Sequence, residues 1–228
     1  DPKIWDFKSN FEYRGILEHV SPNQGVQYMN LASQKVNLND FIETFAKNDL
    51  YGKPIKANLG FSGFESVSPT NARYLHHALL IKEHYEKYST KNIIEIGGGY
   101  GGLCMFLKSL VDCNYSIFDL PEVMKLQEKY LSAHSISCNF LNFDSELPKD
   151  FFLISNYCYS ELLDCGTDRN VVENYKKIID RSVGGFMLWN TPLDTTDALI
   201  EETFGNKINV VYKTENPLTA PQNLEIYW

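Results

Sequence analysis

The sequence predicts an α/β protein in which a doubly wound, largely parallel sheet follows a mostly helical N-terminal segment. From about residue 71 onward, short apolar runs alternate with amphipathic helical stretches, which is the order typical of a parallel sheet with crossover helices. A glycine-rich stretch stands directly between the first of these apolar runs and the next helix. The last two predicted strands follow each other without a helix, so we expect the sheet to end in an antiparallel strand.

About seven short apolar runs are the predicted strands of this sheet. They cover residues 92–96, 115–118, 136–141, 151–155, 185–189, 207–213 and 223–228. The helices expected before and between them cover residues 71–87, 102–110, 121–132, 168–181 and 195–204. The first of these helices repeats its apolar residues with helical spacing. The helix from 121 begins with Pro121, whose missing N–H costs nothing in a first turn.

Residues 1–70 lack this alternation and predict a separate N-terminal part. Asn39 and Asp40 precede apolar residues at helical spacing, so we expect a helix over 39–48, whereas residues 50–68 predict a loop. The sequence therefore predicts a mostly helical cap over residues 1–70 and a sheet domain over residues 71–228. Because the first residue is not Met, we expect the chain to be a domain of a longer protein.

Length and composition predict a soluble globular protein. The 228 residues are 43% hydrophobic and 22% charged, and no apolar run approaches the ~20 residues of a membrane helix. The N-terminus lacks the features of a signal peptide, so we expect a cytoplasmic protein without a membrane partner. With 21 basic and 29 acidic residues the net charge is −8, which disfavours nucleic acid and suits a neutral or cationic small substrate. The five cysteines form no C-x-x-C pair, which predicts reduced core thiols rather than a zinc site.

The most specific motif is the stretch Glu95-Ile96-Gly97-Gly98-Gly99-Tyr100-Gly101-Gly102. Glycine permits tight turns and lets a ligand approach the backbone, while the N-terminus of the following helix offers free N–H groups. Two templates fit this loop. Gly97, Gly99 and Gly102 match the G-x-G-x-x-G of dinucleotide-binding folds. Glu95, Gly97, Gly99 and Gly101 match a pattern of an acidic residue and three alternating glycines, so the loop alone leaves both templates open.

Acidic residues follow the next two predicted strands. Asp119, beside Leu120, stands about 20 residues after the loop, where such folds place an acid on the ribose hydroxyls. Its alternative role is to cap the helix at Pro121. After the third strand, Asp144 can accept a hydrogen bond from an adenine amino group and Phe143 can pack on the ring, with a plain loop as the alternative.

With these elements, residues 71–228 resemble class I S-adenosylmethionine-dependent methyltransferases. The resemblance implies a Rossmann-like fold and S-adenosylmethionine as the cofactor. It also implies cofactor contacts in the glycine stretch and after the second, third and fourth strands. These residues are Glu95, Gly97, Gly98, Gly99, Tyr100, Gly101, Asp119, Leu120, Phe143, Asp144 and Asn156. An NAD-dependent oxidoreductase and a cofactor-binding module without catalysis remain open.

A finer resemblance concerns the acceptor of the methyl group. The segment Ser155-Asn156-Tyr157-Cys158-Tyr159-Ser160-Glu161-Leu162 is similar to the region after the fourth strand of sugar O-methyltransferases. The resemblance implies O-methylation of a sugar, nucleotide-sugar or glycan hydroxyl, with the N-terminal cap over the acceptor and a glycosyltransferase as a fused or associated partner. Another small hydroxylated molecule is the alternative acceptor.

A sugar hydroxyl is a very weak acid, so a base should accept its proton during methyl transfer. Glu161 is the first candidate because it follows the fourth strand, and Tyr159 and His77 are further candidate catalytic residues. A helix cap or a surface ion pair is the alternative role of Glu161. We expect no catalytic metal, because the acids after the fourth and fifth strands, Glu161 and Asp194, are sparse for an ion that prefers carboxylates.

Overall fold

The computed structural model describes residues 5–190 and 196–228, and they form two compact units. The helical unit contains the described residues up to Lys82, together with Gly99–Asp112 and Pro121–Ser137. The sheet unit contains Glu83–Gly98, Cys113–Leu120 and the described part of Cys138–Trp228. Among these described residues, the helices are too short or too polar to cross a membrane.

One seven-stranded sheet lies wholly within the sheet unit. Its strands are β1 (Asn92–Ile96), β2 (Asn114–Phe118), β3 (Asn139–Leu141), β4 (Phe152–Asn156), β5 (Gly184–Trp189), β6 (Val211–Thr214) and β7 (Leu224–Tyr227). They are arranged in the order β3-β2-β1-β4-β5-β7-β6. Strands β1 to β5 run parallel, and β7 runs antiparallel to both of its neighbours. The predicted fold class is therefore confirmed, including the antiparallel end of the sheet and the helical N-terminal part.

The strand order reverses between β1 and β4. From β1 the chain builds outward to β2 and β3, and it then returns to the other side of β1 with β4 and β5. The loops that follow β1 and β4 stand on either side of this reversal, at the edge of the sheet formed by the carboxyl ends of the strands. This edge of the sheet, called the carboxyl edge below, is where open α/β sheets bind their ligands.

Three helices complete the sheet unit: α7 (Cys158–Asp164), α8 (Arg169–Arg181) and α9 (Thr196–Phe204). They pack on the sheet through a core of buried aromatic and aliphatic side chains. Trp189 of β5 lies 5.9 Å from Phe204 of α9, and Phe204 lies 5.0 Å from Trp228, measured between ring centroids. Burying each large apolar side chain stabilises the fold by about 1.5–3 kcal/mol.

The helical unit is held together by helix packing and a buried polar cluster. Its helices are α1 (Phe11–Leu17), α2 (Pro22–Ser33), a 3-10 helix (Leu38–Phe41), α3 (Ile42–Asn48), α4 (Pro69–Tyr85, to Lys82 in this unit), α5 (Gly102–Leu110) and α6 (Pro121–Ala133). At its centre the buried Asn48 amide donates to the Tyr100 hydroxyl at 3.0 Å and accepts from Tyr130. The ammonium of Lys8 lies 4.4 Å from the Tyr100 ring centroid, and burial lowers the pKa of Lys8 to about 8.

The element boundaries differ from the predictions in several places. The predicted helix over 39–48 is a 3-10 helix followed by α3, and the predicted third strand is shorter, since β3 begins only at Asn139. The ninth helix begins at Thr196, and Thr195, its predicted first residue, lies outside the described residues. Each compact unit consists of several chain segments, so the boundary between the units is not a single position at residue 70. The division into an N-terminal cap and a methyltransferase domain stays a prediction.

A buried carboxyl group stands on the central strand of the sheet. Glu95 of β1 is only 2% exposed, and the Tyr115 hydroxyl of β2 donates to its Oε2 at 2.9 Å. Burial, with a smaller contribution from the negative charge of Asp119, raises the pKa of Glu95 to about 8, while the Tyr115 hydrogen bond opposes the shift. Glu95 is therefore protonated in the folded protein at neutral pH.

This raised pKa predicts how stability changes with pH. Between about pH 4.5 and about pH 8 the folded chain keeps a proton on Glu95 that the unfolded chain has released, so rising pH favours unfolding. Glu95→Gln removes the titration but keeps an oxygen that accepts from Tyr115. In denaturant unfolding from about pH 5 to about pH 8, the variant should lose less stability than the wild type.

Glu43→Gln is the matched control, because Glu43 is a fully exposed carboxylate paired with Lys47 on the surface of α3. This control should keep the wild-type slope of unfolding free energy against pH. An identical slope for Glu95→Gln and the wild type would contradict a raised pKa at Glu95.

Candidate functional site

Gly97, the first residue after β1, begins the candidate site at the carboxyl edge of the sheet unit. Its φ of 76° lies in the left-handed region, and its N–H donates to the Phe118 carbonyl at 2.9 Å. A Cβ at this position would lie 2.2 Å from the Cβ of Cys158 and 2.4 Å from its sulfur. Only glycine fits here, because the loops after β1 and β4 approach each other without space for a side chain.

Asp119 joins the loops that follow β1 and β2. Its Oδ2 accepts the Gly98 N–H at 3.0 Å, and its Oδ1 accepts the Leu120 N–H at 2.8 Å. The carboxylate is partly exposed, and Leu120 is 67% exposed. Each carboxylate oxygen can accept a second hydrogen bond, so Asp119 is fixed in place and can still bind a hydroxyl group.

An aromatic cluster flanks Asp119 on the side of β3. Phe143 stacks on Phe118 with ring centroids 5.8 Å apart and meets the edge of Tyr175 from α8 at 4.9 Å. Phe143 remains 45% exposed, so one part of its ring is open to a flat apolar ligand. The neighbouring Asp144 is exposed, and its N–H donates to the Asn142 Oδ1 at 3.0 Å.

Tyr175 is a residue of this cluster that the sequence pattern did not reveal. It occupies the apolar face of α8 and therefore resembles an ordinary core residue in the sequence. Burial raises its pKa to about 12, with smaller contributions from Cys158 and Asp119. The hydroxyl of Tyr175 is therefore neutral at physiological pH.

Cys158 is surrounded by the acids of the site. Burial, followed by smaller electrostatic contributions from Asp119, Glu161 and Glu95, raises the pKa of its thiol to about 12. The thiol is therefore protonated and is not a nucleophile. Its role at this edge is to fill the space above Gly97.

Glu161 lies exposed on α7 and is held by the residue that follows β5. The Asn190 side-chain amide donates to the Glu161 Oε1 at 3.0 Å, and the Ser160 hydroxyl donates to the Asn190 Oδ1 at 2.7 Å. Ser160 is fully buried, so this chain of hydrogen bonds is anchored in the protein interior. Glu161 is an exposed residue at the carboxyl edge, and Asn190 bonds only one of its two carboxylate oxygens. Asn190, which follows an apolar strand, is a site residue that sequence reasoning did not assign.

Tyr159 has a different position from the predicted one. Its side chain is 1% exposed, packs 6.2 Å from the Trp189 ring centroid and bonds the Thr203 hydroxyl. Burial raises its pKa to about 12. This position in the core of the sheet unit does not support a catalytic Tyr159. Asn156, the last residue of β4, is partly exposed at the carboxyl edge, as its predicted role requires.

His77 also has a core position, within the helical unit. The ring is 2% exposed and meets Tyr28 edge-on at 5.7 Å. Burial, followed by the charges of His76 and Arg73, lowers the pKa of His77 well below its usual range. The ring is therefore neutral and packed, and this position does not support the predicted catalytic role.

The remaining glycine-loop residues belong to the helical unit and are placed as follows. Gly99 has a φ of 56°, and its carbonyl accepts from the Gln127 side chain at 2.9 Å. The Tyr100 side chain is fully buried beside Asn48, which leaves only its backbone for a cofactor. Gly101 caps α5 with a φ of 95°. Their cofactor contacts stay predictions.

No metal cluster is found in the part of the chain that the structure describes. Over residues 5–190 and 196–228, no three His, Cys, Asp or Glu side chains come together in a way that could hold an ion. Asp194, considered above as a metal contact, lies outside these described residues.

Solved structures of methyltransferases share this fold. The methyltransferase domain of METTL16 aligns with a TM-score of 0.53 and 13% identity, over 91% of this chain and 80% of that chain. The plantazolicin methyltransferase BpumL, in complex with SAH, aligns with a TM-score of 0.51 and 9% identity, over 95% of this chain and 98% of that chain. At these identities the likeness establishes the fold alone. A search of curated proteins gives no match.

A family model establishes the relationship more closely. The model described as lysine methyltransferase matches residues 67–183, which is more than half of the 228-residue chain. The match includes the glycine loop, Asp119, Phe143, Asp144 and the segment around Glu161. The chain therefore belongs to the lysine methyltransferase family, within the class I S-adenosylmethionine-dependent methyltransferases.

Proposed function

We propose that this methyltransferase transfers the methyl group to a hydroxyl of a sugar, nucleotide sugar or glycan, with Glu161 as the base. The observation that carries the proposal is the carboxylate of Glu161, oriented by the 3.0 Å bond from Asn190 at the carboxyl edge. An exposed carboxylate with one oxygen fixed and the other available suits a general base. The same edge carries Gly97, Asp119 and Phe143.

The residues of this edge fit S-adenosylmethionine. Gly97 gives close access to the backbone, Asp119 offers acceptor sites for two ribose hydroxyls, and the open part of the Phe143 ring suits the adenine face. Asp144 can accept from the adenine amino group, and the exposed Leu120 can cover the ring from the other side. Protonated Glu95 adds no negative charge beneath the loop.

When bound, S-adenosylmethionine supplies an electrophilic methyl group on a sulfonium. The chain has two tasks toward the acceptor, which are to orient its oxygen and to receive its proton. Glu161 receives the proton at the oxygen that does not accept from Asn190. Asn190 keeps the carboxylate in one orientation, which reduces the reorganisation needed for proton transfer.

Two features support a sugar as the acceptor. The segment from Ser155 to Leu162 resembles the corresponding region of sugar O-methyltransferases. The acidic net charge of −8 also suits a neutral polyhydroxylated acceptor better than a polyanion such as nucleic acid. Another small hydroxylated molecule would use the same base and orientation. A glycosyltransferase is the partner expected for a sugar acceptor.

A lysine side chain is the second candidate acceptor, and the family match favours it. An acidic chain attracts a cationic ammonium, and Glu161 could accept the proton that lysine must lose before it is methylated. Both candidates therefore use the same cofactor and the same carboxylate. They differ in the atom that carries the methyl group in the product.

A panel of acceptors separates the two candidates. Transfer of a labelled methyl group from S-adenosylmethionine to nucleotide sugars, oligosaccharides and lysine-containing peptides should give labelled, base-stable methyl ethers with the sugars. Methylated lysine, with no labelled sugar, would contradict the leading proposal and establish the second candidate. Adding EDTA in parallel tests metal dependence, and we expect unchanged rates.

Asp119 is the first residue to test for cofactor binding. Asp119→Ala removes the acceptor for ribose hydroxyls and should weaken S-adenosylmethionine by about 10- to 100-fold, from the roughly 1.5–3 kcal/mol of charged hydrogen bonds. Calorimetry with S-adenosylmethionine and its demethylated product measures the change. Asp150→Ala, an exposed acid before β4 at the opposite edge, should keep wild-type affinity. Unchanged affinity in Asp119→Ala would contradict this binding role, and tight NAD binding in its place would overturn the function.

Glu161 is the residue to test for the chemical step. Glu161→Gln keeps the shape and the acceptor oxygen for Asn190 but cannot take a proton, so kcat should fall by about 10²–10⁴-fold. Cofactor affinity should stay within about twofold of the wild type. Glu202→Gln, at an exposed position of α9, is the control and should be fully active. Loss of cofactor binding in Glu161→Gln would instead mark a structural carboxylate.

A further inference from the structure

Tyr157, the residue between β4 and α7, has a strained backbone. Its φ of 67° and ψ of −33° lie in a region that a bulky non-glycine residue rarely adopts. Such conformations persist only where the surroundings fix them on several sides. The residue stands between Asn156, at the end of the strand, and the helix that carries Glu161.

Hydrogen bonds fix both the backbone and the side chain of Tyr157. Its N–H donates to the Leu188 carbonyl of β5 at 2.8 Å. Its carbonyl accepts the Glu161 N–H at 3.0 Å, so the position of Tyr157 sets the first turn of α7. Its hydroxyl donates to the Oε1 of Glu215, in the loop between β6 and β7.

Glu215 is a buried carboxylate that organises its own loop. It is 3% exposed, and its Oε2 accepts the Thr219 N–H at 3.0 Å, the Thr219 hydroxyl and the Asn223 side-chain amide at 3.0 Å. The loop therefore closes around this carboxylate, while Oε1 is left to accept from Tyr157. A buried carboxylate with four donors is costly to disturb, because removing partners leaves charged or polar groups unsatisfied.

The loop between β6 and β7 lies at the carboxyl edge. Strand β7 pairs antiparallel with β5, and Leu224, its first residue, lies opposite Trp189, the last residue of β5. The loop from Glu215 to Asn223 therefore stands beside Asn190, which orients Glu161. Glu161 is therefore held by two residues. Asn190 bonds its carboxylate directly, and Tyr157 bonds its backbone N–H in α7.

We propose that Tyr157 and Glu215 are positioning residues that hold the first turn of α7, and with it Glu161, at the carboxyl edge. Neither residue takes part in proton transfer. The proposal rests on the proposed role of Glu161 as the base. Its structural part, the restraint of α7 by the Tyr157–Glu215 hydrogen bond, is independent of the acceptor.

Tyr157→Phe is the main test, because it removes only the hydroxyl. Loss of one hydrogen bond to a charged group should raise the amide hydrogen-exchange rates of residues 158–161 about tenfold or more. With the acceptor that the panel identifies, kcat should fall about tenfold while the affinity for S-adenosylmethionine stays within about twofold. Glu215→Leu should have the same effects, whereas Glu215→Gln, which can still bond the Tyr157 oxygen, should restore most of the activity.

Tyr212→Phe is the matched control, because the Tyr212 hydroxyl also donates to a carboxylate, that of Asp197, at 3.0 Å on an exposed surface. It should change neither exchange nor kcat. Unchanged exchange in Tyr157→Phe, or faster exchange with wild-type kcat, would overturn the positioning role. Should Glu161→Gln prove fully active while Tyr157→Phe exchanges faster and turns over more slowly, Glu161 is not the base, and the restraint acts on another group of α7.

Discussion

The carboxylate of Asp119 is the interaction on which the candidate site depends. It accepts N–H groups from the loops after β1 and β2 at 3.0 and 2.8 Å, and so it sets the relative position of two loops that the sheet alone would leave separate. Gly98 is held by this bond, and no space for a side chain remains between Gly97 and Cys158. The two backbone donors occupy one acceptor position on each oxygen of the carboxylate.

The carboxyl groups at this edge differ in burial, and burial disfavours the charged form of the buried group. Glu95 is buried and protonated, with its pKa raised to about 8, whereas Asp119 and Glu161 are partly or largely exposed. The carboxyl groups of Asp119 and Glu161 therefore stand nearer the surface of the edge, where the proposed function requires a binding site for the methyl donor and a proton acceptor. The protonated carboxyl beneath the loop bonds Tyr115 and joins β1 to β2 from within.

Much of the sheet could be predicted from the sequence, because its strands are short apolar runs separated by helices with clear boundaries. The observed bounds of β1 and α5, on either side of the glycine loop, are the predicted ones. The predicted strand from 136 to 141 is confirmed only in its last three residues, since β3 begins at Asn139, and the Ser137 carbonyl before it accepts from the Lys108 ammonium at 2.7 Å. The start of α2 is also marked in the sequence, because Ser21 and Gln24 form a capping box, a pattern typical of a helix N-terminus.

The site was only partly predictable, because several of its residues acquire a role through distant contacts. Asp119 and Phe143 follow strands and are recognisable by position. Asn190 reaches the edge because β5 pairs with β4, and Glu215 reaches it because β7 pairs with β5 and β6. Asn190 then bonds Glu161, and Glu215 bonds a residue 58 positions earlier in the chain. Tyr159 and His77 are polar residues near the right segments, and only the packing reveals that both are buried.

The contact between Gly97 and Cys158 has a consequence for how such chains diverge. A Cβ at 97 would overlap the Cys158 side chain at 2.2 Å, and the φ of 76° at 97 adds a second barrier to any larger residue. The nearest atom is the Cβ of Cys158, which every residue except glycine carries, so a smaller side chain at 158 alone does not make space for one at 97. Position 97 should therefore stay glycine in homologues that keep this spacing between the two loops, whichever side chain stands at 158.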